Sequence, residues 1–331
     1  MFTDRESTSP AVRSLPGVLT RYLISRIAAT AAMLLLLSVI VFIGVDLLPG
    51  DPVSVREGRL GPERAAELRS QMGLDRPVLD RYIDWLTGIL KGDLGTSATG
   101  VRVADLLGHR LANTAILVGI VGIVAVPVSL ALGLWLGWRR GSVADTAASA
   151  IIVGVQSIPD FIWAGLWVLI FALTLGWLPA LSLVPPGESP LAQPEVLVLP
   201  VVTLGATAVV YATRVIRAAA ATSYLSDHAE FLQLNGFSIL SVTRLAVLPT
   251  VVPAAVQVWV VSLTTLLGGT VMVEGVFGYP GIGEALINAV SGGDLPVAQT
   301  FALLLATIAA TALLVTDTAG MVVRHRTGRQ R

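Results

Sequence analysis

The sequence predicts an all-α polytopic membrane protein with six transmembrane helices. Three observations carry this expectation. Of 331 residues, 54% are hydrophobic and only 13% are charged, whereas a water-soluble domain carries charge on about a quarter of its residues. Mean hydropathy is +0.78. The apolar residues gather into runs of about 20, the length a helix needs to cross hydrocarbon. The same composition excludes several functions. Net charge is zero, so the field of the whole protein favours neither nucleic acid nor an acidic partner. There is no cysteine, which rules out disulfides, thiolate metal sites and a cysteine nucleophile. Lys91 is the single lysine and stands in LKGDLG, not behind the glycines of a phosphate-binding loop. The chain is therefore expected not to be a P-loop ATPase.

Residues 1–23 are polar, with Pro10 and Pro16, and form a cytoplasmic tail. The first helix covers 24–48, with Arg21 and Arg26 at its start. Its charge pattern is that of a signal peptide, but the run exceeds an h-region of about 7–15 residues and no A-x-A-like site follows. It is expected to stay uncleaved and to end at Pro49-Gly50. Residues 49–112 differ in kind: charges of both signs alternate with apolar residues. Helical spacing appears over 62–72 (Ala66, Leu68, Met72) and over 77–90 (Val78, Tyr82, Trp85, Leu86, Leu90). This is an extracytoplasmic helical insertion.

The second span covers 113–137 and is closed by Trp138-Arg139-Arg140. The third has an amphipathic approach from Val143 and runs to Gly176, interrupted at Pro159-Asp160. Proline kinks a membrane helix where neighbours satisfy the freed carbonyl. The fourth is 196–213, with Arg214 and Arg217 at its end, expected to snorkel to the interface. The fifth is 251–273, followed by a glycine-rich loop over 274–298. The sixth is 300–323, followed by the basic tail 324–331. Loops 177–200 and 274–298 hold no lysine or arginine, while the tails, Arg139-Arg140 and the 214–244 stretch do. Arginine marks the cytoplasmic side, and long loops cross regardless of charge. Both termini are expected in the cytoplasm and the 49–112 insertion outside.

Charges within the spans are few. Asp46 and Asp317 lie near helix ends, where an interface can solvate them, and are expected to be structural. His109, His228 and His325 are scattered, so no catalytic or metal site is expected. An ion-coupled secondary transporter would place carboxylates or histidines near the midplane, and the spans are nearly bare of them. An intramembrane hydrolase needs a nucleophile beside a base. Ser157 and Asp160 are the one polar cluster, and no histidine joins them.

The longest polar interruption of the C-terminal half is 223–249, SYLSDHAEFLQLNGFSILSVTRLAVLP. Residues 223–234 can continue the fourth helix, and Gly236 can end it. Ser238 can cap a second helix reaching Leu248, and Pro249 can open the fifth span. The result is a knob with Phe237, Ile239 and Leu240 at its tip. An apolar tip either meets a partner's groove or packs on the bundle.

Glu230, Gly236 six positions on, and Leu248-Pro249 resemble the EAA loop of ABC importer permeases. Phe231 and Leu232 replace its two alanines, and Ala246 its isoleucine. Further pieces stand in matching order: LLPGDP at 47–52, MGLDRP at 72–77, GDLGTS at 92–97, SIPDFIWAG at 157–165, GWLPA at 176–180, ATRVIRAA at 212–219 and LLGGTVMVEGVFGYPGIG at 266–283. Together they are similar to the first of the two sister permeases in the dipeptide, oligopeptide and nickel branch.

The resemblance implies a type I ABC importer permease fold with its core at 113–323. It implies half of a translocation pathway for peptides or similar small solutes, in a bacterial plasma membrane. The partners it implies are a sister permease, two cytoplasmic ATP-binding subunits and an extracytoplasmic solute-binding protein. ATP would be used by the partner; this chain would bind no cofactor and catalyse no reaction. Asp227, Glu230, Gly236, Phe237, Ser238, Arg244, Leu248 and Pro249 fall in the loop that would couple to the ATPase. Gly268, Gly269, Glu274, Pro280, Gly281 and Gly283 fall where the family has its pathway and outer gate. On the residues alone, Gly268-Gly269 equally suit tight packing, and the turn after Glu274 is either re-entrant or a surface loop.

The orientation is testable. A membrane-impermeant label attached within 51–112 should react in intact cells, and one within 223–249 only after lysis. The reverse pattern would overturn the assignment.

Overall fold

The computed structural model describes residues 15–47, 63, 70, 73, 75–185 and 187–327. Among them regular structure is helical, with one isolated bridge between Thr96 and Arg102. The helices are α1 (Leu15–Asp46), α2 (Val78–Leu90), α3 (Val103–Trp138), α4 (Val143–Gln156) and α5 (Asp160–Trp167, continued as a π-helix over Val168–Thr174). Then come α6 (Glu195–Tyr224), α7 (Asp227–Leu234) and α8 (Ile239–Val242). The last are α9 (Leu248–Phe277), α10 (Ile282–Ser291) and α11 (Leu295–Thr327).

Five helices are long and apolar enough to cross a membrane, and α4 with α5 supplies a sixth crossing that bends by 100°. The bend lies where the sequence places Pro159. Proline offers no N–H to the preceding turn and pushes the residue before it out of helical geometry. The second span begins ten residues earlier than its apolar run, at Val103, because the polar residues 103–112 continue the same helix beyond the apolar layer.

The centre of the bundle is the seam between α3 and α6. Leu117, Val121 and Ala125 are buried on α3, and Leu204, Ala208, Ala212, Ile216 and Ala220 on α6. Both stripes step by four residues, which keeps them on one helix face. Toward the C-terminal end of α3, Gly133 and Gly137 meet Ile216 and Ala220, and a methyl group at either glycine would collide with those residues. In a membrane the attraction between helices is van der Waals contact, so small residues at the seam set how closely the backbones approach. Helix α9 closes the core from the other side of α6 with Val251, Val258 and Val273.

Helix α4 is tied to α6 by an ion pair between Asp145 and Arg217. Asp145 Oδ2 accepts from Arg217 Nη2 at 2.6 Å and from the Gly141 amide at 2.9 Å. Arg217, whose side chain stays 28% exposed, thus gains a buried carboxylate partner that the sequence did not show; the end of α3, packed on α6 at Gly137, brings the start of α4 within its reach. Arg214 instead extends toward Gln156, at 3.4 Å.

Helix α1 packs on α11 and carries α2 at its outer end. Phe42 contacts the rings of Tyr82 and Trp85, and the Tyr82 and Ser38 hydroxyls lie 2.9 Å apart. Arg81 pairs with Asp46 at 2.6 Å, and Arg26 with Asp317 at 3.1 Å. Both carboxylates thus have structural arginine partners. Helix α2 matches the expected 77–90 element; the expected helix over 62–72 falls almost wholly outside the described residues.

The packing account separates two classes of glycine. Gly133→Ala or Gly137→Ala should destabilise the detergent-solubilised protein by about 1–3 kcal/mol through overpacking. Gly119→Ala, where a methyl group meets nothing within 4 Å, should leave the melting temperature unchanged. Equal losses at all three sites would refute the seam as described.

Candidate functional site

Two regions gather the residues singled out in the sequence. The first is the knob over 223–249. Helix α6 does not run on to Leu234 as expected. It stops at Tyr224, and α7 starts afresh because the Ser226 side chain accepts the Ala229 amide at 3.3 Å, the contact of an N-cap. Gly236 then turns the chain at φ +80°, a conformation suited to glycine. The Phe237 amide donates to the Leu232 carbonyl at 3.1 Å and the Gly236 amide to Gln233 at 3.0 Å, the paired bonds of a Schellman end.

Ser238 accepts the Ser241 amide at 3.4 Å and caps α8, as its position suggested. The helix widens to π geometry over Thr243–Val247 and continues as α9. Pro249 stands in the first turn of α9 and has no amide hydrogen to offer the turn before it; a π turn there accommodates the gap.

The knob has its own small core. Ala229, Leu232, Val242 and Ala246 are buried together against Tyr224, whose hydroxyl lies 2.7 Å from that of Thr243. Phe231 and Leu232, which stand in for the two alanines of the EAA pattern, thus part company: Leu232 faces this core and Phe231 is exposed. Ala246 also belongs to the core. Leu240 and Leu234 are 76% and 80% exposed, and Phe237 and Ile239 are exposed beside them. Asp227, Glu230, Gly236, Ser238, Arg244 and Pro249 are exposed too, and Leu248 is half-buried.

The second region follows α9. Gly278 adopts φ +63° and ends the helix, and the chain folds back as the short helix α10. The expected glycine-rich loop is thus partly helical, and its turn is buried against α3 and α9. Glu274 is 0% exposed. Its Oε1 accepts from Thr114 Oγ1 at 2.7 Å and its Oε2 from the Gly283 amide at 2.6 Å. Thr114 Oγ1 in turn accepts the Ile282 amide at 2.9 Å. A carboxylate and a hydroxyl therefore receive the amides at the start of α10, where a helix has unpaired donors and a positive end.

Gly281 and Gly283 are required by close approach. A methyl group on Gly281 would overlap the Glu274 carboxylate, and one on Gly283 would overlap the Val271 backbone. The Pro280 carbonyl accepts from Asn113 Nδ2 at 2.9 Å, and the Tyr279 hydroxyl donates to the Asn113 carbonyl at 2.8 Å. Arg110 pairs with Glu284. Glu274, Pro280, Gly281 and Gly283 thus form one cluster turned into the protein. Gly269 lies apart, with Asp160 and Leu204 close by, and Gly268 faces open space.

Sequence reasoning missed Asn113 and Thr114, which hold the fold-back from α3. Their signal was two adjacent polar residues just before an apolar run. Glu274→Ala should cost about 3 kcal/mol or more, since each buried donor left unpaired costs about 1–3 kcal/mol. Glu274→Gln can still accept from Gly283 and should cost less than half as much. Thermal unfolding of the solubilised chain checks the ranking; equal losses would show that the carboxylate acts only by filling space.

Comparison with known proteins agrees with this architecture. Residues 129–328 match the family described as binding-protein-dependent transport system inner membrane component. Residues 19–133 match the N-terminal region described for the same kind of membrane component. A probable peptide ABC transporter permease protein of Sinorhizobium fredii is 27% identical over 307 residues, covering 92% of this chain and 98% of that protein. A putative peptide transport system permease protein of Brucella melitensis is 28% identical over 284 residues, covering 85% and 90%. A glutathione transport system permease protein of Pectobacterium atrosepticum is 32% identical over 290 residues, covering 86% and 90%. With six crossings, a capped knob before the fifth and a buried fold-back after it, the chain belongs to the binding-protein-dependent inner membrane components, the permease subunits of ABC importers.

Proposed function

We propose that this chain forms one half of a translocation pathway for peptides or similar small solutes, and that its 223–249 knob takes up the force of a separate cytoplasmic ATPase. The observation that carries the reading is the division of labour inside the knob. Ala229, Leu232, Val242 and Ala246 satisfy its core, yet Leu240, Leu234, Phe231 and Phe237 stay exposed. Apolar residues left outside a structure that is already packed suit a partner's groove. The arginines at Arg139, Arg140, Arg214 and Arg244 support a cytoplasmic position for this end of the bundle, where ATP is found. The chain's one lysine is outside any phosphate-binding loop, which agrees with an energy source on another subunit.

The same reading assigns the remaining partners. A sister permease supplies the other half of the pathway, two ATP-binding subunits sit beneath, and a solute-binding protein delivers from outside. The permease core is 113–323, with 49–112 as an external insertion and both termini cytoplasmic. The names of relatives, which mention peptides and glutathione, support a peptide-like solute. ATP can drive transport only if the ATPase contacts the knob differently in two states. The fold-back cluster around Glu274 serves as the fixed frame of the outer gate.

Leu240→Asp and Phe237→Asp place charge on exposed positions without touching the knob core. Either should weaken co-purification of the ATPase by about 30-fold or more, the effect of losing a central apolar anchor, while membrane insertion stays normal. Undiminished ATPase recovery with both variants would sink the docking proposal.

A further inference from the structure

A cleft of about 410 Å³ lies between the bend of the third span and the middles of α6 and α9. Gln156, Asp160, Thr207, Tyr211, Ser262 and Thr265 line it. Thr207 and Tyr211 stand near the midpoint of the 30-residue α6, and Ser262 and Thr265 near the midpoint of the 30-residue α9. Polar side chains converging at mid-height of two spanning helices are costly unless they meet one another, water or a ligand.

Two features separate this cleft from ordinary packing. The first is Asp160. Elsewhere in the spans Asp46, Asp145 and Asp317 pair with arginines, and Glu274 receives Thr114 and Gly283. Asp160 has the Thr207 hydroxyl beside it but no ion pair among the described residues. Gly269 leaves it room: a methyl group there would come within 3.0 Å of Asp160 Oδ2. The second is Ser262. The residue borders the cleft and is 2% exposed, and its Oγ, buried behind the cleft wall, has no hydrogen-bond partner among the described residues.

We infer that this cleft is a transit subsite for the ammonium group of a solute. Asp160 supplies the opposite charge, and Thr265, Tyr211 and Gln156 supply hydrogen bonds. A carboxylate in a low-dielectric site without a cation attracts one strongly. The position of Asp160 in the first turn of α5 gives it partial compensation from the helix N-terminus. That suits a site which must fill and empty again. The volume falls within the range of small-molecule sites and fits one end of a peptide, not its whole length. The inference rests on the transport reading above and adds the chemistry of the solute.

The chain has no cysteine, so Thr265→Cys gives it a single thiol. The complete transporter, with its partner subunits, is reconstituted in proteoliposomes without nucleotide. It is treated with a positively charged aminoethyl or a negatively charged sulfonatoethyl methanethiosulfonate, and modification is followed on this chain by mass spectrometry. The cationic reagent should react about tenfold faster than the anionic one, and Asp160→Asn should abolish that preference. Trialanine should slow the reaction, and N-acetyltrialanine should not. Tyr211→Cys, on the same cleft and 40% exposed, provides the same measurement if Thr265→Cys does not assemble.

No modification by either reagent, or a preference that survives Asp160→Asn, overturns the subsite. Equal protection by both peptides, or by neither, overturns the ammonium assignment. Loss of the sister permease from the Asp160→Asn complex would show a subunit contact instead, and also overturns it. ATPase recovery is measured on the same samples. An ATPase that docks on a complex with an unreactive cleft refutes this inference alone, whereas an ATPase absent from the unaltered complex refutes the coupling reading.

Discussion

Where the chain turns back after α9 it presents backbone amides to the interior, and the carboxylate of Glu274, with the Thr114 hydroxyl that it accepts from, receives them. Each such donor left without a partner would cost about 1–3 kcal/mol, so the turn depends on that side chain being fully buried and correctly placed. Other contacts depend on it in sequence. Thr114 and Asn113 align α3 with the turn. Helix α10 is aimed by its first amides, and beyond it Asp294 receives Ser97 and the Ala98 amide at 3.1 Å. The loop after α2 is therefore held on the same side of the molecule through α10, although nearly 200 residues of chain lie between its partners.

The opposite end is organised by different physics. Gly133 and Gly137 bring α3 and α6 together by shape, and Asp145 with Arg217 fixes the bent third span by charge. Neither device would serve in place of the other. Close backbone approach needs no polar group, whereas the start of α4 is joined to α6 through a charged pair. A pair with one buried carboxylate and one partly exposed arginine contributes direction as well as stability, since part of its attraction offsets the cost of removing the carboxylate from water.

What the sequence made legible follows from this difference. Apolar runs showed the number and order of the crossings, because run length is a local property. Pro159 marked the bend, and Gly236 and Ser238 marked the knob's turn, because each acts through its own backbone. The ion pair of Arg217 was not legible because its partner lies 72 residues away and becomes a neighbour only through the packing of α3 on α6. The stop at Tyr224 was missed because Ser226 competes with helix continuation by capping, and hydropathy does not register that contest. Helix α10 was hidden by glycines that suggest a loop but are there to admit Glu274 and the Val271 backbone. Phe231 and Leu232, adjacent and similar in chemistry, could not be told apart until the helix assigned one to each face.

The π turn at Thr243–Val247 joins α8 to α9 without ending the helix, so residues from Ile239 to Phe277 form one continuous element of 39 residues. At 1.5 Å per residue it is about 58 Å long. Its lower tip carries Leu240 and its upper end carries Glu274. Under the proposed coupling such an element would act as a lever: a tilt of ten degrees about one end moves the other by about 10 Å. The proline-widened turn sits close to the lower end, where a lever needs its joint. On that reading a displacement at the knob would reach the opposite face through the helix itself, with no relay of side chains in between.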